Sequence, residues 1–297
     1  MKIIINGLGR IGKLVFRRLC DENLHKNILI VNEKAGSASD QEYFLRYDTV
    51  HGTWGDDLCF ENGCLNYKDH SIAVMTEGSI ESISFPKSEK FLVVDCTGVN
   101  KSEKLLEPYF ERKASYVLIS APIESSNVQN IVYGINHQSI DTSAYKIFTA
   151  ASCTTNCLAP IVKVLEENIG IKHGSITTIH NITNSQTIVD APKNNLRRSR
   201  SGINSLIPTT TGSARAISLI YPELKGRLNG HAVRVPLLNA SLTDCVFEMK
   251  QNVEVDKINQ LFNEASNTYL RDILSYEEKP LVSSDYVNNP HSAIIDS

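Results

Sequence analysis

The chain has 297 residues, with 30 Lys and Arg against 33 Asp and Glu, a net charge of −3, and 41% hydrophobic and 21% charged residues. That balance suits a globular chain of about two domains and lacks the basic excess that nucleic-acid binding requires. No apolar run reaches the roughly 18 residues of a membrane span, and the apolar stretch of MKIIINGLGRIGK is too short for a secretory leader, so a cytoplasmic protein without membrane or nucleic-acid partners is expected.

The seven cysteines (Cys20, Cys59, Cys64, Cys96, Cys153, Cys157 and Cys245) are scattered through the chain. Without a leader they are expected as free thiols rather than a disulfide framework. Neither Cys59/Cys64 nor Cys153/Cys157 has a second Cys or His pair at zinc-finger distance, so no metal site is expected.

In chain order, KIIIN at 2–6 is a β-branched run without alternation, the pattern of a strand buried on both faces of a parallel sheet. Gly7, Gly9 and Gly12 follow in G-x-G-x-x-G spacing, and KLVFRRLC continues with helical periodicity. In such a turn the first glycine permits a tight bend and the second admits a diphosphate to the backbone. The third lets helix and strand pack closely, with the diphosphate on the helix's electropositive end. A second apolar run, NILIVNE, ends at Glu33, twenty-one residues after Gly12. A carboxylate there suits a ribose hydroxyl and repels a 2′-phosphate, which favours NAD over NADP; the alternative for Glu33 is a solvated strand-end charge.

Residues 57–69 are polar with scattered Gly and Asn and predict an edge hairpin. KFLVVDCTG (90–98) and YVLISAP (116–122) predict further buried strands on either side of a helical KSEKLLEPYFERK. Ligands of open α/β sheets gather at strand carboxyl ends, which makes Thr97, Gly98 and Ser120 candidate cofactor neighbours, or else plain turn residues.

AASCTTNCLAPIVKVLEEN (150–168) places Cys153 in a small polar run just before a helical stripe of Leu158, Ile161, Val162 and Leu165. At a helix start, main-chain N–H groups and the dipole favour a thiolate and can hold an oxyanion. A thiol nucleophile needs a base, and of the eight histidines His180 is best placed, at the end of the apparent strand GSITTI. Further on, RRSRS (197–201) and VRVP (233–236) supply guanidiniums suited to phosphate, and TTTG (209–212) sets hydroxyls and a glycine before a helix. For Arg197 and Arg198 the plainer reading is a solvated or subunit-contacting basic loop.

Taken together, INGLGRIGK, YDTVHGTW, SAP, ASCTTNCLAP, TTIHNIT, IPTTTGSA, VRVP and PHSAIID resemble the phosphorylating glyceraldehyde-3-phosphate dehydrogenase family from one end of the chain to the other. VDAPKNNLRRSRS, IYPELKG and LNGHAVRVPLLNASLTDCVFE are similar to its bacterial branch associated with arsenical export. The resemblance implies a Rossmann-type doubly wound parallel sheet over 1–151 and an α+β catalytic domain over 152–297. It implies Cys153 as nucleophile and His180 as base, with cofactor contacts at Gly7, Gly9, Arg10, Ile11, Gly12 and Glu33. Thr183 and Arg234 match the seat of the substrate's own phosphate. Ser152, Thr154, Arg200, Thr211 and Gly212 match that of the attacking inorganic phosphate. NAD, glyceraldehyde 3-phosphate, phosphate or arsenate, and a homotetramer come with the family.

Two departures stand out. The family's chain continues past the PHSAIID-like segment into a strand and a covering helix, so a truncated chain is expected. Ser185, two positions after Thr183, offers phosphate a hydroxyl and no charge. An erythrose-4-phosphate dehydrogenase and an inactive binding-only relative are the competing expectations; Thr183 and Thr211-Gly212 favour glyceraldehyde 3-phosphate over the former.

Overall fold

The structure, a computed structural model, describes residues 1–86 and 90–297. The chain forms two compact units, Met1–Ile131 with Ser139–Ala151, and Val132–Gln138 with Ser152–Ser297. Residues 132–138, expected with the cofactor-binding half, therefore belong to the second unit. There Gly134, at φ +85, lies so close to Ile273 that a Cβ on it would sit 2.7 Å from that side chain.

In the first unit the elements run β1 (Lys2–Asn6), α1 (Arg10–Asp21), β2 (Ile28–Asn32), α2 (Asp40–Arg46), the two-residue pair β3 (Tyr47–Asp48) and β4 (Gly52–Thr53), β5 (Leu58–Glu61), β6 (Cys64–Tyr67), β7 (His70–Met75), β8 (Phe91–Asp95), α3 (Glu103–Glu111), β9 (Tyr116–Ile119), β10 (Val128–Asn130) and β11 (Ile147–Thr149). Nine strands form one sheet in the order β10-β11-β9-β8-β1-β2-β7-β6-β5. From β10 to β7 every neighbour is parallel, and β6 and β5 close one edge as an antiparallel hairpin. The chain winds outward in both directions from β1, which puts the switch point between β1 and β8.

The absence of alternation in these strands has a direct cause. Ile4, Ile30 and Val93 point to one side, where Leu106 and Tyr109 of α3 cover them. Ile5 and Val31 point to the other, against Phe16 and Cys20 of α1 and Leu45 of α2. With both faces covered, successive strand positions must be apolar, and each fully buried aliphatic side chain contributes about 2 kcal/mol.

The second unit contains α4 (Cys153–Asn168), β12 (Ile171–Asn181), β13 (Ile207–Thr210), α5 (Ser213–Ile220), β14 (Leu228–Val235), β15 (Ser241–Met249), α6 (Val255–Asn267), β16 (Leu274–Glu277) and β17 (Ala293–Asp296). Its main sheet has the order β13-β14-β12-β15, and β16 pairs separately with β17. Along β12, Ile176, Thr178 and His180 are buried while Ile179 is exposed, so the sheet has one covered face. Leu158, Val162 and Leu165 of α4 are buried as well. β12 and β14 run parallel with His180 directly opposite Arg234, which sets those two side chains on the same face.

Candidate active site

At the end of β1 the chain turns through Gly7, at φ +91, where a Cβ would lie 2.8 Å from the main-chain nitrogen of Thr97 beyond β8. A Cβ on Gly12 would fall 1.8 Å from the Gly7 carbonyl oxygen. Only glycine fits at either position. Gly9, by contrast, has nothing within 4 Å of its missing Cβ. It is the N-cap of α1 and offers no side chain to the first N–H groups, and the first turn holds no acidic residue. Arg10 opens the helix and Ile11 is 52% exposed. A positive helix end under open space, approached through residues that cannot carry a side chain, fits a dinucleotide diphosphate.

Glu33 is half-buried and turned onto this loop: Leu8 N–H donates to its Oε2 at 2.8 Å and Ala35 N–H to its Oε1 at 3.0 Å. The carboxylate thus orders the turn, and its remaining lone pairs suit ribose hydroxyls. Gly98, at φ +71, has open space beside it. Thr97 gives both its N–H (2.9 Å) and its hydroxyl (2.6 Å) to Asp95 Oδ1. Ser120 donates its N–H to the Asp95 carbonyl at 3.0 Å. All the expected cofactor residues therefore lie in the first unit, Thr97 being tied inward.

Beneath this edge runs a buried polar chain that sequence reading did not reveal. Asp95 Oδ2 accepts from Tyr109 Oη at 2.8 Å and Asn100 Nδ2 at 2.7 Å. Tyr109 Oη accepts from Asn6 Nδ2 at 2.5 Å, and Asn6 Oδ1 from Asn32 Nδ2 at 2.8 Å. Burial, then the nearby Asp95 charge, raises the Tyr109 hydroxyl's pKa, so it remains a donor. A chain satisfied at each link fixes the carboxyl ends of β1, β2 and β8 relative to one another. The only signal in the sequence was a polar residue at the end of each apolar run.

In the second unit the thiol sits where the helical pattern placed it. Ser152 is the N-cap of α4; its Oγ accepts from Thr155 N–H at 3.1 Å and lies 2.7 Å from Thr155 Oγ1. The serine expected at a phosphate seat thus also fastens the helix start, a contribution of about 1 kcal/mol. Ala151, just before it, holds a left-handed φ of +55 although it has a Cβ, a local strain two residues from Cys153. Cys153 is exposed to solvent, and its Sγ lies 3.3 Å from His180 Nε2. Crowding by protein atoms works against ionisation. The His180 hydrogen bond and charge, with hydrogen bonds from Thr154, overcome that effect and lower the thiol from 9.0 to about 7. Cys157, one turn on, is raised instead, first by burial.

The other face of His180 is occupied by Arg234. Its Nη1 lies 2.5 Å from His180 Nδ1 and donates to the Asn181 carbonyl at 2.9 Å. Burial lowers the Arg234 pKa, the Cys153 charge opposes that, and Arg198 lowers it further. Arg198 is also bonded, through Nη2, to Thr209 Oγ1 at 3.0 Å. Arg200, the arginine of that loop expected at the phosphate seat, instead pairs with Asp190 at 2.6 Å with its side chain 71% exposed. Residues 196–199 form a 3₁₀ turn capped by Asn195, and Arg200 leaves it in extended conformation.

Thr183 Oγ1 lies 2.9 Å from Ser185 Oγ, and both hydroxyls reach Gln186 Oε1, at 3.3 and 3.2 Å. Thr211 Oγ1 is 2.6 Å from Ser213 Oγ, and Gly212 caps α5 with open space beside it. Thr154 is buried. Among the described residues no group of His, Cys, Asp and Glu is arranged to hold a metal ion, and no helix is long and apolar enough to cross a membrane.

Comparison with known proteins agrees with this chemistry. The profile described as the C-terminal domain of glyceraldehyde 3-phosphate dehydrogenase matches residues 152–297, and that of its NAD binding domain matches residues 1–103. The chain belongs to the glyceraldehyde 3-phosphate dehydrogenase family. It is 47% identical over 302 aligned residues to glyceraldehyde-3-phosphate dehydrogenase 3 of Nostoc sp. (strain PCC 7120), covering 100% of this chain and 88% of that one. It is 40% identical to the enzyme of Geobacillus stearothermophilus, covering 100% and 88%, and 38% identical to glyceraldehyde-3-phosphate dehydrogenase 2 of Bacillus subtilis, covering 100% and 86%. As a member of this family the protein is an NAD-dependent phosphorylating aldehyde dehydrogenase, and NAD is its cofactor.

Proposed function

We propose that the chain oxidises glyceraldehyde 3-phosphate and passes the acyl group to an inorganic oxyanion, with Cys153 as nucleophile and His180 as base. The observation that carries this reading is the 3.3 Å approach of His180 Nε2 to a sulfur at the N-terminus of α4. The Cys153 thiolate adds to the aldehyde carbon, and the N–H groups of the first turn of α4 stabilise the oxyanion of the thiohemiacetal. His180 takes the proton from that oxygen as the carbon loses hydride. NAD, when bound, accepts the hydride, with Gly7, Gly9, Arg10, Ile11, Gly12, Glu33, Thr97, Gly98 and Ser120 as its holding residues. The resulting thioester is attacked by phosphate, which yields 1,3-bisphosphoglycerate and returns the thiolate.

Arg234 and Thr183 seat the substrate's phosphate; Ser152, Thr154, Thr211 and Gly212 seat the acceptor. Arg198 of the basic loop brings a second positive charge near Arg234, where an anion would relieve the repulsion between the two. Arsenate matches phosphate in charge and shape, so the same seat accepts it and would give 1-arseno-3-phosphoglycerate; the similarity to the arsenical-export branch favours this as the second acceptor. Self-association into the family's tetramer is supported by exposed apolar side chains at Leu237, Leu238, Leu242 and Val246.

The test is NADH formation from glyceraldehyde 3-phosphate and NAD with phosphate or arsenate supplied in turn, together with iodoacetamide labelling. Phosphate- or arsenate-dependent turnover that vanishes as Cys153 is alkylated is the expected result. Labelling of Cys153 no faster than Cys157, or NADH formation indifferent to both oxyanions, would refute the reading.

A further inference from the structure

Past the end of β12 the chain runs Thr183-Asn184-Ser185-Gln186, a polar tetrapeptide closed as a turn by Gln186 N–H, which donates to the Thr183 carbonyl at 2.9 Å. The Gln186 side chain folds back into this turn and is buried. Thr183 N–H donates to it at 3.0 Å, and because an N–H only donates, the atom it meets is the amide oxygen, Oε1. The same oxygen lies 3.3 Å from Thr183 Oγ1 and 3.2 Å from Ser185 Oγ, and the two hydroxyls are 2.9 Å apart. Three donors therefore converge on one acceptor. The other half of the amide is idle: Nε2 is buried without a hydrogen-bond partner, which works against stability. For packing alone, an apolar side chain of the same size would serve better.

An amide oxygen offers two lone pairs. Thr183 N–H occupies one, so a single hydroxyl proton settles on the other. The remaining hydroxyl proton is free to turn to an acceptor that arrives from outside. We infer that Gln186 is a positioning residue for the substrate's phosphate: its Oε1 holds the Thr183 and Ser185 hydroxyls side by side and leaves one O–H to donate outward to a phosphate oxygen. The inference rests on the reading of Thr183 and Arg234 as that phosphate's seat, and it gives the uncharged Ser185 a part in the same seat. The turn's backbone has supports of its own. Lys193 Nζ donates to the Ser185 carbonyl at 2.8 Å, and Ile182 N–H to the Leu237 carbonyl at 3.0 Å. Removing the amide should thus disturb the hydroxyls more than the main chain.

The experiment compares Gln186→Met and Gln186→Glu with wild type in the full chain. Glycerol 3-phosphate, which has the phosphate and no aldehyde, is titrated as a protector of Cys153 against iodoacetamide. Steady-state kinetics are run with glyceraldehyde 3-phosphate, NAD and phosphate. In Gln186→Met the half-protecting concentration and the KM for glyceraldehyde 3-phosphate should both rise about tenfold, with kcat changed less than about twofold. Its melting temperature should alter little, because the lost acceptor for Thr183 N–H is offset by removal of the unpartnered Nε2. In Gln186→Glu a carboxylate has lone pairs for all three donors and draws both hydroxyl protons inward. Below its pKa the neutral acid leaves affinity nearer wild type; above it the anion also repels the ligand. The ratio of variant to wild-type half-protection should therefore climb as pH rises from about 5 to about 8.

Unchanged half-protection in Gln186→Met overturns the inference, as does a fall in kcat as large as the rise in KM with a lowered melting temperature. A flat pH ratio in Gln186→Glu overturns it too. If one variant does not fold, the other decides alone. Thr183→Val tests the underlying reading by itself: an unchanged KM for glyceraldehyde 3-phosphate there would refute the phosphate seat, whatever Gln186 does.

Discussion

The glycine turn after β1 and the thiol cluster on α4 and β12 are built by opposite means. The first works by subtraction: Gly7 and Gly12 admit neighbouring backbone and Gly9 leaves a space, all within six consecutive positions. The second works by assembly, with Cys153, His180 and Arg234 brought from three elements by helix capping and strand register. A region built from missing atoms should fail sterically when atoms are added, whereas a region built from paired side chains should fail chemically when one is removed.

The largest effect expected is that of Cys153→Ser, which should lower steady-state NADH formation by about 10³-fold or more with the melting temperature little changed, because a hydroxyl supplies no anion near neutral pH. Gly12→Ala should lose about 3 kcal/mol in chemical denaturation, since its Cβ meets main chain rather than a yielding side chain. Gly9→Ala should melt like wild type and bind NAD about tenfold more weakly in a fluorescence titration; equal behaviour of the two alanine variants would break the contrast.

His180→Asn should shift the pH midpoint of iodoacetamide labelling at Cys153 from about 7 to above 9.0, because crowding then acts with little to oppose it. The sign follows from the lowered value: wild type loses its thiolate only as pH falls through about 7, whereas the variant has already lost it at neutrality. The smallest effect belongs to Arg200→Ala, which breaks an exposed ion pair with Asp190; a stability change of less than about 1 kcal/mol and an unaltered KM for glyceraldehyde 3-phosphate are expected. Arg198→Ala should raise that KM, and the reverse ranking would restore Arg200 to the phosphate seat.

The same division explains what could be read from the sequence. G-x-G-x-x-G, the unalternating apolar runs and the Ser-Cys-Thr-Thr helix start are local, so spacing and residue type sufficed for the parallel sheet, the edge hairpin and the helix beginning at Cys153. The expected nearness of Cys153 and His180 came from motif resemblance, since 27 residues separate them in the chain. The Arg200–Asp190 pair and the Arg198–Thr209 bond could not be read from the RRSRS run, because periodicity carries no trace of the 3₁₀ turn at 196–199. The Asn6–Tyr109–Asp95 chain was invisible because its members come from separate strands and a helix. Ala151 gave no warning of a left-handed φ, since alanine has no preference for one.

The rims of the nine-stranded sheet have a consequence for solubility. Its outermost members, β10 and β5, are only three and four residues long, and β5 belongs to a tight hairpin. Broad parallel sheets expose rows of unbonded amides wherever they stop, and such rows invite another copy to dock edge to edge. Ending on strands this short leaves little for a stranger to zip onto at the rims of this sheet, even though its interior strands, excised as peptides, would be strong aggregators.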